Sequence, residues 1–328
     1  MIPISATNKS VERRERVFPF IEGMRKLRYV PKSKTLVHIT CRTINGLYLF
    51  RPGPEFNDVF LGVLGKAQRD CGVELCAVSV LSTHFHLLSI VDDVKQAADF
   101  MRNFKSKLAL ETNRMTGWSG PVFDRRYEMA VVTDEEAAQV EVLKYILAQG
   151  VKEQLVERIL DWPGVHSFGA LLEGTPLTGH WFDRSQEHAA RVRGEEYDRL
   201  KYATVETVTL SPLPCWAHLS EETYRQRVAS LGEDIEAEAT VARQAAGTQV
   251  VGVDAILARD PLYRPEKLAR SPAPRVHAAT QTARKAFYEA YSWFVAAFRD
   301  AAEKLRRGDR AAPFPAGSFP PALPFVAG

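Results

Sequence analysis

Cysteine is scarce in this chain, and the four present, Cys41, Cys71, Cys76 and Cys215, form no CxxC pair and no zinc-finger spacing. They read as packing residues, not as a disulfide framework or a structural zinc site. Long apolar runs are missing as well. Nothing approaches the roughly 20 apolar residues that cross a bilayer, and no apolar signal segment opens the chain, so a reducing cytoplasm with no membrane anchor is the expected setting. Excess charge is also lacking. A net charge of +3 over 328 residues is too small for bulk attraction to a polyanion, so any affinity for nucleic acid must come from local clusters of Lys and Arg. The length fits one domain with a substantial extension, or two domains.

What is present is a regular alternation of strand and helix signals. A basic arm over residues 1–35 carries Lys9, Arg13, Arg14, Arg16, Arg25, Lys26, Arg28, Lys32 and Lys34. It leads into a strand over 36–43 that puts Val37, Ile39 and Cys41 on one face and His38, Thr40 and Arg42 on the other. A helix over 55–71 follows, closed by Gly72, then strands over 73–81 and 84–91 joined by a tight corner at Ser82-Thr83. Asp92-Asp93 caps a helix over 94–116, Gly117 to Pro121 breaks it, and a strand over 127–133 precedes a helix over 135–149. The expected fold is α+β: a ferredoxin-like split βαβ arrangement, with an antiparallel sheet of four to five strands, over residues 36–175. The first and third strands are expected side by side at its centre. A mostly helical extension is expected over 180–328, with helices at 184–201, 220–246 and 278–307 and a Pro- and Phe-rich tail.

The third expected strand begins Thr83-His84-Phe85-His86-Leu87-Leu88. Strand alternation puts both imidazoles on one face and Phe85 on the other. Two neighbouring imidazoles suggest a metal pair, yet the same pattern is met in histidines that are simply packed in a sheet. Some 60 residues on, Lys144-Tyr145-Ile146-Leu147-Ala148-Gln149 places Tyr145 one helical turn from Gln149. A phenol can serve as a nucleophile and an amide oxygen can ligate a hard cation, although either side chain could equally be structural.

Taken together, His84-Phe85-His86, then Gly120-Pro121-Val122-Phe123-Asp124-Arg125-Arg126-Tyr127, then Tyr145-Ile146 with Gln149, then Trp162 to Leu171, resemble the single-tyrosine HUH transposases. These comprise insertion-sequence transposases and the REP-associated tyrosine transposases, and the resemblance covers about residues 30–175. It implies that His84, His86 and Gln149 ligate a divalent metal, Mg²⁺ or Mn²⁺, and that Tyr145 is the nucleophile. It also implies a hairpin-bearing single-stranded DNA substrate, cut through a 5′-phosphotyrosine intermediate. REP-associated members usually carry Pro-Asn before the first histidine, where this chain has Ser82-Thr83, and Asn then Pro at the third ligand, where it has Gln149-Gly150. Arg42, Lys105, Lys107, Arg125 and Arg126 are the candidate phosphate contacts. Family members act as homodimers or alone, which leaves both states open. Two rival readings are a hairpin-binding regulator of DNA or RNA that no longer cuts, and a phosphoesterase whose histidines activate water.

Overall fold

In the computed structural model, which describes residues 27–194, 198–265 and 274–321, the sheet is organised by the two faces of its first strand. β1 (Thr35–Arg42) sends Val37, Ile39 and Cys41 into a core shared with α1 (Pro54–Cys71) and α2 (Val94–Thr116). His38, Thr40 and Arg42 face the other way. β2 (Glu74–Leu81) and β3 (His84–Val91) form a hairpin turning at Ser82-Thr83, and β4 (Glu128–Val132) completes the split βαβ unit ahead of α3 (Glu136–Leu147). Every boundary expected over this stretch lies within two residues of the observed one. Local signals explain the agreement. The Asp93 carboxylate accepts from Gln96 N at 2.7 Å to start α2, and left-handed Gly72 and Gly117 end α1 and α2.

The sheet order is β2-β3-β1-β4 with a short edge strand, β7 (Val276–His277), beside β4, so β1 and β3 are central neighbours. They pair antiparallel with Thr40 opposite His86 and Arg42 opposite His84, which brings all four side chains to one face. That face is covered by α3. Its Val142, Leu143 and Ile146 join Leu36, Leu88 and Ile90 in a second core, sealed from outside by α5 (Phe168–Glu173) and α7 (Glu221–Ala246).

The expected helix over 135–149 is interrupted. α3 ends at Leu147, and a short α4 (Gln149–Lys152) begins one residue later. Residues 162–167 then run along the open edge of β2, with Val80 N bonded to Val165 O at 2.9 Å and Ser167 N to Val78 O at 2.9 Å.

Beyond residue 175 the helical expectation holds in part. β5 (Leu177–Phe182) and β6 (Ala203–Val208) form an antiparallel hairpin on α1, and α6 (Arg184–Val192) lies between them. The helix expected to reach residue 201 therefore stops at Val192, because Ala203-Thr204-Val205-Glu206-Thr207-Val208 is an alternating β-branched strand. The hairpin lies so close that a Cβ on Gly62 would come within 2.1 Å of the His180 carbonyl carbon, which is why α1 carries glycine there. Ser220 caps α7 as expected, its hydroxyl accepting from Thr223 N, and α8 (Val253–Leu257) follows. β7 (Val276–His277), which no sequence pattern announces, pairs in parallel with β4 before α9 (Gln281–Arg306).

Lys9, Arg13, Arg14, Arg16, Arg25 and Lys26 of the expected basic arm lie outside the described residues, as does the end of the tail. The described part of the arm packs on the α9 stripe. Tyr29 meets Phe287, Tyr291 and Phe294 at ring-centroid separations of 5.0–6.0 Å, and the Arg28 guanidinium sits 3.8 Å above the Tyr127 ring. Among the described residues no helix is long and apolar enough to cross a membrane.

Candidate active site

On the α3 side of the sheet, the imidazoles of His84 and His86 stand with ring centroids 4.9 Å apart at an interplanar angle of 76°. Nδ1 is committed in both rings. His84 Nδ1 is 2.8 Å from Thr83 Oγ1, and His86 Nδ1 is 2.9 Å from His38 Nε2. His86 Nε2 is buried and has no hydrogen-bond partner. A buried orphan of this kind costs about 1–3 kcal/mol unless something binds it. Burial, reinforced by the Arg42 cation, pushes His84 down to about 3. His86 is held well below the usual histidine range by burial and by the neighbouring His84, His38, Arg42 and Lys152. Both rings are therefore neutral, the form that has a lone pair to give to a metal.

Tyr145 lies on the α3 turn facing these rings. Its ring stands edge-on to His86, with centroids 5.5 Å apart at 82°, and edge-on to His38 at 5.9 Å, yet the residue is 38% exposed. One side of the phenol thus touches the histidines while the other meets solvent. Gln149, 1% exposed, donates from Nε2 to the Tyr145 carbonyl at 2.8 Å, and its side chain also hydrogen-bonds the His84 imidazole. The helix break at Ala148 gives Gln149 its own turn without parting it from Tyr145. Gly150 is packed so tightly that a Cβ would lie 3.4 Å from the Trp162 ring. That indole donates to Val80 O at 3.0 Å, which ties the Gln149 turn to the β2 edge.

The donor set fits a hard divalent ion with open positions. Two neutral imidazoles and one amide oxygen leave further coordination sites, and one imidazole nitrogen is already stripped of any other partner. Among the described residues no group of three or more His, Cys, Asp or Glu side chains is placed to hold a metal. The His38 contact orients the His86 ring from behind, as ligating histidines require. A groove of about 430 Å³ opens beside Tyr145, between the α3–α4 corner and α7, with Lys144, Lys152 and Arg243 in its walls.

No family model and no curated protein matches the sequence. Comparison with solved structures does return matches. A REP-associated tyrosine transposase bound to a REP hairpin is 19% identical, with a TM-score of 0.38, over 46% of this chain and 86% of that one. A Deinococcus radiodurans R1 protein described provisionally as a transposase is 24% identical, with a TM-score of 0.27, over 38% of this chain and 98% of that one.

Of the residues singled out in the sequence for transposase chemistry, His84, His86, Tyr145 and Gln149 come together. Arg42 joins them, since its charge acts on both imidazoles. Lys105 and Lys107 do not. Lys105 lies on the α1–α2 side of the sheet, where its ammonium bonds Arg125 O at 3.0 Å and sits 4.4 Å from the Phe123 ring. Lys107 is exposed beside Trp181 of the hairpin. Arg125 is exposed and paired with Asp124 at 3.3 Å, and Arg126 is exposed beside Tyr127. Three side chains not singled out also reach the site. Lys152 Nζ lies 4.6 Å from the Tyr145 ring centroid, His38 backs His86, and His277 backs His38. His38 shares a strand face with Arg42, so the alternation that marked Arg42 marked it equally. Lys152 is seven residues after Tyr145, two turns along, but the break at Ala148 hides the shared face.

Proposed function

We propose that this protein is a metal-dependent single-stranded DNA endonuclease and strand transferase, a transposase acting beside a DNA hairpin through a 5′-phosphotyrosine intermediate. The observation that carries it is the buried, unpartnered His86 Nε2 facing the one partly exposed tyrosine on α3, with an amide ligand one turn away. His84, His86 and Gln149 would hold Mg²⁺ or Mn²⁺, which when bound polarises the scissile phosphodiester as a Lewis acid. Tyr145 supplies the nucleophile. A bond forms between its phenolic oxygen and phosphorus as the bond from phosphorus to the 3′-oxygen breaks. The proton lost by the phenol is balanced by the one gained as the 3′-oxygen leaves as a hydroxyl. Because the tyrosyl ester conserves the bond, attack by another 3′-hydroxyl rejoins strands without ATP.

The charges of Arg42 and Lys152 act on His86 and would favour a phosphate beside it, and the groove, whose walls carry Lys152 and Arg243 as well as Glu141 and the Lys144–Glu238 ion pair, would give the strand a path to the phenol. Labelled single-stranded DNA carrying a hairpin, incubated with Mn²⁺, is expected to yield a covalent protein adduct that Tyr145→Phe abolishes. Cleavage without an adduct would point to water as the nucleophile. Binding without cleavage would point to a regulator.

A further inference from the structure

His86, His38 and His277 form one chain of imidazoles. His38 Nε2 is 2.9 Å from His86 Nδ1, and His38 Nδ1 is 3.2 Å from His277 Nε2. His38 is buried, and the rings of His38 and His86 stack with centroids 5.2 Å apart. His277 belongs to β7, far along the chain from the other two. Its backbone is held from several directions: Thr133 N bonds His277 O at 3.0 Å, Val131 N bonds Arg275 O at 3.0 Å, and the Glu135 carboxylate accepts from Ala279 N at 2.9 Å and Thr280 N at 3.1 Å. Arg275 in turn donates to the Tyr291 hydroxyl at 2.7 Å, which ties β7 to α9. The charged group acting on His277 is Arg284 of α9.

We propose that His277 is a positioning residue of the active site, through which the C-terminal extension fixes the ring and the tautomer of His86. The inference rests on the proposed metal-binding role of His86. A neutral imidazole carries a single N–H, so a run of imidazoles can be polarised in only one of two directions. With His277 Nε2 accepting, His38 donates from Nδ1 and accepts at Nε2, His86 donates from Nδ1, and His86 Nε2 is left with its lone pair exposed to the site. Polarised the other way, His86 Nε2 would carry the proton and could not ligate. The extension is therefore part of the catalytic machinery and not an appended module.

Two readouts on the full-length chain test this. The first is ¹⁵N NMR of the histidine rings in metal-free protein. His86 is expected to be the Nδ1–H tautomer in the parent and a mixture in His277→Ala, with the parent state restored in His277→Gln, whose amide oxygen reaches the place of Nε2. The second is calorimetric titration with Mn²⁺, for which His277→Ala is expected to bind about tenfold more weakly and His277→Gln to recover most of the loss. An unchanged His86 tautomer in His277→Ala overturns the proposal whatever the metal does. If the parent itself takes up no Mn²⁺, the ligand assignment fails, and the tautomer readout still judges the imidazole chain by itself. Should His277→Ala fail to fold, His277→Gln decides: loss of the Nδ1–H tautomer there counts against the proposal.

Discussion

At the scale of single residues, the site depends on keeping imidazoles neutral in places water does not reach, and the same holds for a histidine outside it. His166 accepts from Phe168 N at Nδ1, at 3.2 Å, and lies against the carbonyls of Ile146 and Leu147 where α3 ends. Burial pushes it down to about 4. An unfolded histidine titrates near 6.5, so between about 6.5 and 4 the unfolded chain binds a proton that the folded chain refuses. The stabilisation is complete above that window and is lost as pH falls, at about 1.4 kcal/mol per pH unit. In metal-free denaturation, His166→Gln is therefore expected to lose about 2 kcal/mol less than the parent between pH 7 and pH 5; equal losses would show that this ring does not carry the effect. Gly150 offers a second test at this scale. A methyl there meets Val156 Cγ2 at 3.3 Å and Trp162 Cε3 at 3.4 Å, while alanine gains about 1 kcal/mol of helix propensity over glycine. Gly150→Ala should thus be near neutral in a urea melt. Gly150→Leu has no room and should cost about 1–3 kcal/mol.

At the scale of elements, the parts of the fold that could be read from the sequence are those whose residues alternate or recur strongly. β1 alternates from Val37 to Arg42, so the facing of Val37, Ile39 and Cys41 against His38, Thr40 and Arg42 follows directly, and pairing β1 with β3 then sets Arg42 beside His84. β3 is packed on both faces, with Phe85 fully buried and edge-on to Phe60 and Phe104, so it reads as a nearly continuous apolar run after His86. β7 could not be read in this way. Two residues have no period, and their pairing with β4 is set by Glu135 and α9, which lie in other parts of the chain. For the same reason nothing in the sequence pointed to His277, while His84, His86, Tyr145 and Gln149, which the fold brings together, stood out by their spacing and their resemblance to a family. The α6–β6 region misled because charged residues dominate both sides of Gly194, and only the β-branched run after Tyr202 distinguishes strand from helix.

At the scale of the whole molecule, a net charge of +3 leaves DNA affinity to local groups. Arg42 and Lys152 flank the imidazoles on one side of the sheet, whereas Lys105 and Lys107 lie on the other, so a strand entering along the groove beside Tyr145 would meet the first pair and not the second. Each phosphate contact to a single strand contributes about −0.7 to the slope of log affinity against log salt. The double variant Arg42→Gln/Lys152→Gln is expected to flatten that slope by about 1.4 for single-stranded DNA, and Lys105→Gln/Lys107→Gln to leave it unchanged; the reverse pattern would move the DNA path to the α1–α2 side. The extension then has two roles in one architecture. α7 walls the groove beside Tyr145, and β7 carries His277 to the back of the imidazole pair.

In the proposed reaction Tyr145 attacks a phosphodiester beside a metal held by His84, His86 and Gln149. Its most direct test is mass spectrometry of the proteolysed protein after incubation with hairpin-bearing single-stranded DNA and Mn²⁺. The expected result is a nucleotide joined by its 5′-phosphate to the peptide containing Tyr145, present with the parent and absent with His86→Ala. Cleaved DNA with an unmodified Tyr145 peptide would contradict it.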